Sequence, residues 1–340
     1  MQKCLMNPYE RVNFESAEHI KSMSHMHLYN QASFERAVKD GYRHFPISNY
    51  IPAKPTYPLT DFFCNVPDNI LGAPNSEKAY HLNSGVHYCA LGSFAVGHGN
   101  NPDRNPVWKD AATVNWQVGF DEVFAALQFE DGGGITLNHP TYPIGLELQT
   151  YIDMLDYDER VLGVEMFNRC SGGKINGICI PHFYTYVWDE ILKTGRRCFG
   201  FAVVDWQMPY DNFGSNILLV PEFTEEACLR AYRNGEFYTQ IKDIGLRFSS
   251  IKCEEGRVSV SVNKKCTIQF ITARGSVCEV VGTSGECEAE EGDIFMRVEA
   301  IDCEDPASHI FTNPFMFSLR DKNAERGEPI KTPHHSYVNF

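Results

Sequence analysis

Over the first two-thirds of the chain, apolar runs repeatedly stop at a histidine or a carboxylate. Residues 33–41 place Phe34, Ala37 and Val38 on one helical face, with Ser33 at a capping position and Gly41 closing the segment. The short run before it ends in His25-Met26-His27. The run after it, His44-Phe45-Pro46-Ile47-Ser48, is strand-like, although Pro46 is a poor residue for a central strand. Together these predict a strand–helix–strand unit. The rhythm recurs. Phe120, Val123, Phe124 and Leu127 form a helical stripe, Asp131-Gly132-Gly133-Gly134 breaks it, and Ile135-Thr136-Leu137-Asn138 runs into His139. Leu148, Ile152 and Leu155 form another stripe, and Val161-Leu162-Gly163-Val164 ends at Glu165. Trp188, Ile191 and Leu192 form a third. Gly195 stops it, and the apolar run from Cys198 to Val204 ends at Asp205. A last helix begins at Thr224 and stops near Gly235. Near-continuous apolar strands separated by amphipathic helices suit a parallel sheet covered on both faces. Polar ligand types at successive strand ends predict an α/β barrel with a metal site at its mouth.

From about Asp243 the pattern alternates with period two. Arg257–Val262, Thr267–Thr272 and Ile294–Ala300 read as short half-buried strands, punctuated by Gly256, Gly275, Gly285 and Gly292. The predicted organisation is a metal-binding β/α unit over residues 1–241, a small β-sandwich over 242–320, and a polar tail over 321–340.

Composition narrows the function. The net charge of −14 argues against nucleic acid and anionic membranes as bulk partners. No run of about 18 apolar residues predicts a membrane span, and the first residues carry no apolar signal core. Twelve cysteines are scattered without a C-x-x-C pair, and several, such as Cys198 and Cys228, sit inside apolar runs. They read as reduced thiols of a cytoplasmic protein. Cys64 and Cys89 have no evident acid–base neighbour and read as core residues. The sequence leaves the oligomeric state open.

His25 and His27 are two apart at the end of an extended run, so both can lean toward one ion. His139 and Asp205 hold equivalent strand-terminal positions. A carboxylate closing an apolar strand, as Asp205 does, is tolerated there when paired or metal-bound. Imidazole and carboxylate together suit zinc, iron or manganese. Glu165 shares this placement but could equally hold a loop through backbone N–H groups. Glu77, His81 and His87 fall in a stretch that alone reads as surface loop, although Val86–Gly92 resembles a short buried strand containing a histidine.

In serial order these segments resemble the PHP (polymerase and histidinol phosphatase) family of metal-dependent phosphoesterases, over roughly residues 18–240. SHMH is similar to the family's opening histidine pair, and ASFERAVKDGYRHFPISNY to its first helix and second strand. VHYCALG resembles its strand with an internal histidine, and GGGITLNHP its glycine-rich strand ending in His-Pro. VLGVEMFN, WDEILKTGRRCFGFAVVD and EACLRAYRNGEFYT resemble the later strands, the final acidic motif and the closing helix and strand. The resemblance implies a distorted seven-stranded β/α barrel, a cluster of up to three divalent metals and water-mediated phosphoester hydrolysis. It implies metal ligation by His25, His27, Glu77 as bridging carboxylate, His87, His139 and Asp205. The chain departs from the family at Asn49-Tyr50, at Gln207 and at Tyr29-Asn30-Gln31, where charged or imidazole ligands are usual. One or two ions are therefore expected rather than three.

The resulting expectation is a hydrolase of a small phosphorylated substrate. Asp205, His139 and Glu77 are its candidate catalytic residues, and Lys54, Arg169 and Lys174 could clamp phosphate. Asn49, Tyr50 and Gln207 occupy substrate-side positions, while Arg196 and Arg197 should lie at the opposite mouth. The alternative is a barrel that has lost turnover and binds a ligand or partner. An amidohydrolase-type site would add a bridging lysine, and no lysine sits at a convincing strand end.

Overall fold

The computed structural model describes residues 2–50, 54–78, 85–95, 115–141, 147–172, 174–175, 178–206 and 213–320. Gln207 and the tail from 321 lie outside them. Strands β1 (Glu18–Ser22) and β2 (Met26–His27) lead into helix α1 (Gln31–Lys39). Its cap is Asn30, whose side chain accepts from Ser33 N at 3.0 Å, so the helix starts before the Ser33 expected from sequence. Four short strands follow: β3 (His44–Phe45), β4 (Leu71–Gly72), β5 (Glu77–Lys78) and β6 (Tyr88–Leu91). The three predicted stripes become α2 (Trp116–Ala125), α3 (Leu148–Tyr157) and α4 (Thr185–Leu192). Between them run β7 (Gly134–Leu137), β8 (Val161–Asn168), β9 (Lys174–Ile175), β10 (Ile178–Cys179) and β11 (His182–Phe183). After α4 come β12 (Phe199–Val203), β13 (Asp205–Trp206) and β14 (Ser215–Val220), then α5 (Glu225–Asn234) and β15 (Phe237–Ile241). Thr224 caps α5 by accepting from Ala227 N, and Gly235 closes it at φ 74°, as read from the sequence.

The protein is a strand-rich mixed α/β structure, and the described strands do not close into the expected barrel. One sheet of six strands runs β11-β8-β7-β6-β5, with β12 added beside β8. Within it β7, β8 and β12 are parallel, but β6 is antiparallel to β7. A second sheet runs through β15-β14-β1-β3-β4. The seam between them is bridged by side-chain amides in place of a ladder. Asn216 Oδ1 accepts from Ala202 N at 3.1 Å, and Asn313 Oδ1 accepts from Gly200 N at 3.0 Å. These two bonds satisfy edge N–H groups of β12 that a closing strand would otherwise take. The short parallel pair β2–β13 spans the same end of the seam, with Asp205 opposite Met26 and Trp206 opposite His27.

The C-terminal third comprises β16 (Phe248–Glu254), β17 (Arg257–Thr272), β18 (Gly275–Glu288), β19 (Phe295–Asp302), β20 (His309–Thr312) and β21 (Phe315–Met316). The two alternating runs read as separate strands are one 16-residue strand, β17. It pairs β18 along both halves, but on its other side it pairs β16 with the first half and β19 with the second. A register break between Ser261 and Cys266 marks the change of partner. The sheet thus folds over a core that includes Val258, Val260, Ile268, Phe270 and Val298. The blocks expected on either side of residue 241 share hydrogen bonds, because β15 pairs β20 from Tyr238↔Thr312 to Ile241↔His309. Arg297 on β19 adds a bidentate bond to Asp189 on α4 at 2.7 and 2.8 Å, with its guanidinium 5.2 Å from the Trp188 ring. Lys21 Nζ reaches Asp243 Oδ2 at 3.0 Å. None of the eleven described cysteines forms a disulfide. No helix among the described residues is long and apolar enough to cross a membrane.

His44 on β3 is fully buried, with Nδ1 2.8 Å from Ser22 Oγ of the neighbouring β1. Burial without a counter-charge pushes its pKa down to about 3. Below about pH 6.5 the unfolded chain takes up a proton that native His44 refuses, so stability falls with pH down to about 3, by at most about 1.4 kcal/mol per unit. Urea unfolding of wild type and His44→Gln across that window should give a shallower pH slope for the variant. Parallel slopes would refute the assignment.

Candidate metal centre

The site forms where five strands end together. β2 contributes His25, one residue before it, and His27; β5 contributes Glu77; His87 precedes β6; His139 follows β7; Asp205 opens β13. Their side chains are all buried, although the region around Glu77 and His87 read from sequence as surface loop. Two of the strand exits are strained: His139 has φ 22° and Asp205 φ 65°. Left-handed backbone at non-glycine residues costs on the order of 1–3 kcal/mol and persists where surrounding contacts enforce it.

Glu77 organises the cluster. Its Oε2 lies 3.1 Å from His25 Nε2 and 3.0 Å from His27 Nε2. Its Oε1 lies 3.1 Å from His87 Nδ1, 3.3 Å from His139 Nε2 and 3.0 Å from the Asn138 amide. Asp205 Oδ1 closes the first group at 3.3 Å from His25 Nε2 and 3.5 Å from His27 Nε2. The donors therefore divide into His25, His27, Glu77 and Asp205 on one side and Glu77, His87 and His139 on the other, with ligand atoms within 4.8 Å in each group. This amends the single sphere of His25, His27, His139 and Asp205 read from strand ends. His139 belongs to the second group, although its ring centroid is only 5.8 Å from that of His25.

The donor set fits an ion. His25 Nδ1 is 2.6 Å from Glu165 Oε1 and must carry the proton of that bond, so in the neutral ring Nε2 presents a lone pair. That lone pair faces Glu77, Asp205 and His27 Nε2, which is 3.3 Å away. Donors bound at ~2.1 Å stand about 3.0 Å apart on an octahedral edge and about 3.4 Å apart in a tetrahedron, the range observed here. Without an ion, protons must balance the carboxylates. Burial works against a charged His25, yet Glu77, Asp205 and Glu165 outweigh it and raise its pKa well above the usual value. His27 is raised against the same burial by Asp205 and Glu77, and His139 is pushed up to about 9, chiefly by Glu77 and Glu165. Burial would raise the Glu77 carboxyl, but His25, His139 and His27 hold it well below the carboxylate range.

Around these groups stands a shell in which Asn168 and Trp206 were not singled out from the sequence. Glu165 takes the backbone-holding role considered for it and also orients a ligand, without belonging to either donor group. One oxygen orients His25, and the other accepts from His139 N at 2.7 Å and Asn168 Nδ2 at 2.8 Å. Asn168 also reaches Asp205 Oδ2 at 3.2 Å. Among the described residues no such carboxylate stands behind His27. Its ring is walled by Tyr50 at 4.7 Å and Trp206 at 4.9 Å.

The expected substrate-side residues scatter. Asn49 is engaged by backbone, accepting from Leu28 N at 2.9 Å and donating to Leu28 O at 2.6 Å. Tyr50 stacks on His27, and burial together with the Glu77 and Asp205 charges keeps its phenol protonated. Lys54 is exposed, with Nζ 5.1 Å over Phe62. Arg169 is buried, one residue beyond β8 and 5.6 Å from the Phe213 ring. The Lys174 backbone pairs with Cys179; its side chain, Gln207 and His81 lie outside the described atoms. Arg196 pairs with Asp156 of α3 at 2.8 Å and plays no part in the cluster.

No family model matches the chain, and no curated protein does. Among solved structures the chain is similar to a two-domain protein containing predicted PHP-like metal-dependent phosphoesterase from Bacteroides vulgatus ATCC 8482. The identity is 12% and the TM-score 0.45, over 94% of this chain and 100% of that one. A likeness that weak carries no argument, and the functional reading rests on the geometry of the cluster.

Two outcomes follow from this geometry. Metal uptake at neutral pH should release protons, and apparent affinity should climb with pH toward the about 9 of His139. Calorimetry in buffers of different ionisation enthalpy reads this directly, and buffer-independent heats would contradict it. Glu165→Gln, which spares every ligand, should weaken binding by about 10–100-fold.

Proposed function

We propose that the protein is a metal-dependent phosphoesterase acting on a small phosphorylated substrate. The observation that carries the reading is the division of Glu77, one oxygen turned to His25 and His27, the other to His87 and His139. A carboxylate shared in this way suits two adjoining divalent ions, zinc, manganese or iron, with His25, His27, Glu77 and Asp205 holding one and Glu77, His87 and His139 the other. Such ions supply a Lewis acid and bring a bound water's pKa near neutrality.

The chain's own residues do the positioning. Glu165 fixes His25 with its Nε2 lone pair inward, and Asn138 aims Glu77. Asp205, whose side chain is 8% exposed, lies on the open side of its donor group, in which His25, His27 and Glu77 are closed off. Its Oδ2 accepts from Asn168, which leaves Oδ1 facing the histidines and an incoming water. Asp205 is thus the group placed to orient that water and accept its proton. The phenol of Tyr50, kept protonated by burial and by Glu77 and Asp205, brings an O–H donor to the edge of the cluster.

One observation favours the other reading, a ligand-binding protein without turnover: Asn49, where the resemblance expects a charged ligand, is occupied by Leu28. Purification without chelator, metal analysis and assay on an aryl phosphate with manganese, zinc and iron decides between them. The phosphoesterase reading expects turnover with at least one ion and a fall of at least about 100-fold in kcat/KM for Glu77→Gln. It also expects Glu77→Gln to lose more metal than His87→Ala, because only Glu77 serves both groups. A wild type that binds metal yet is inert with every ion would overturn the phosphoesterase reading and leave the binding protein.

A further inference from the structure

Two large aromatic side chains remain open to solvent beside the buried cluster, Tyr29 at 41% and Trp206 at 47% exposed. Both are tied to a ligand. Trp206 is the register partner of His27 in the β2–β13 pair, and their ring centroids are 4.9 Å apart. Tyr29 lies two residues beyond His27 and so extends the same side of the chain. Its ring is parallel to His27 within 3° at 6.1 Å. Tyr29 and Trp206 stand 6.1 Å apart and tilted by 34°. The Tyr29 hydroxyl accepts from Tyr50 N at 3.4 Å, which pins the outer ring to the chain that walls His27 from behind. The result is a shallow, two-ring ledge that begins at a candidate metal ligand and runs outward to solvent.

Scattered exposed aromatics need no explanation, but a pair continuous with a buried polar cluster does. The apolar cluster that contains Met26 and Leu28, on either side of His27 in the chain, buries its Phe34, Phe45 and Phe63 rings. Tyr and Trp faces recognise flat π-systems, with little dependence on which ring is presented. A phosphoryl group at the cluster places whatever it is esterified to beside this ledge.

We infer that Tyr29 and Trp206 form a stacking ledge for the planar ring of the substrate, which is therefore an aryl or nucleoside monophosphate rather than an alkyl or polyol phosphate. The inference rests on the phosphoesterase reading for the placement of phosphate, but its test does not need turnover. Phenylphosphonate, a nucleoside phosphonate and methylphosphonate, none of them hydrolysable, are titrated calorimetrically into the metal-loaded protein. A ring-bearing phosphonate should bind about tenfold tighter than methylphosphonate, the size expected from one base–aromatic stack. Trp206→Ala and Tyr29→Ala should each erase most of that difference while leaving methylphosphonate binding unchanged, and Trp206→Phe should keep it. Both side chains are exposed, so unchanged melting of the variants separates loss of the ledge from loss of fold.

The phenyl and nucleoside arms distinguish the two sources of the ring. A preference for the nucleoside phosphonate alone identifies a nucleotide, and equal binding identifies a general aryl site. Equal affinity for all three phosphonates in wild type, or a ring preference that survives Trp206→Ala, overturns the inference while the hydrolase reading stands. A ring preference in a protein that hydrolyses no phosphoester sinks the hydrolase and keeps the ledge.

Discussion

Three carboxylates, Glu77, Glu165 and Asp205, are buried within hydrogen-bonding reach of one ring, His25, and this concentration of negative charge governs the structure around it. Removed from water, such charges require compensation by protons or cations close at hand. The strand ends supply it. Four histidines converge from three separate parts of the chain, and the backbone takes left-handed conformations at His139 and at Asp205 to bring both into the cluster. An apolar replacement of the cluster would relieve the electrostatics, so a buried cluster this charged points to a function that needs the charge.

Side-chain amides do much of the supporting work. Asn138 steadies Glu77, Asn168 links Glu165 with Asp205, and Asn75 donates to Ser24 O and Pro46 O beneath the opening histidines. Asn216 and Asn313 close the edge of β12. An amide offers both donor and acceptor without adding charge. Near a crowded set of carboxylates it can therefore satisfy neighbours without shifting the balance that the ions or protons must meet.

Much of this was legible in the residues. Apolar runs ending at His25-Met26-His27, His139 and Asp205 located the cluster because burial at a strand end leaves a polar side chain few alternatives. The helical stripes and the Thr224 and Gly235 boundaries held because they follow from local periodicity and capping. Glu77 was visible only through family resemblance, since β5 is two residues long and leaves no alternation to read. The amides escaped notice because asparagine at a strand exit is also an ordinary turn residue. The barrel expectation failed at the seam, where pairing depends on Asn216 and Asn313, residues 14 and 113 positions away from their partners. β17 was read as two strands because its change of partner sits in a polar stretch, Asn263-Lys264-Lys265, that looks like a turn.

The ladder between β15 and β20 has a consequence for how the chain can be divided. A fragment ending at Ile241 would keep every candidate ligand, yet it would carry β15 as a bare edge, with the groups that meet Ile310 and Phe311 open to any passing strand. The same cut would remove Asn313 from β12 and Arg297 from Asp189, leaving the Gly200 N–H unanswered and an acid with no counter-ion. Such a fragment would be prone to self-association before its chemistry could be examined. The C-terminal third therefore serves as an edge guard for the half that carries the cluster.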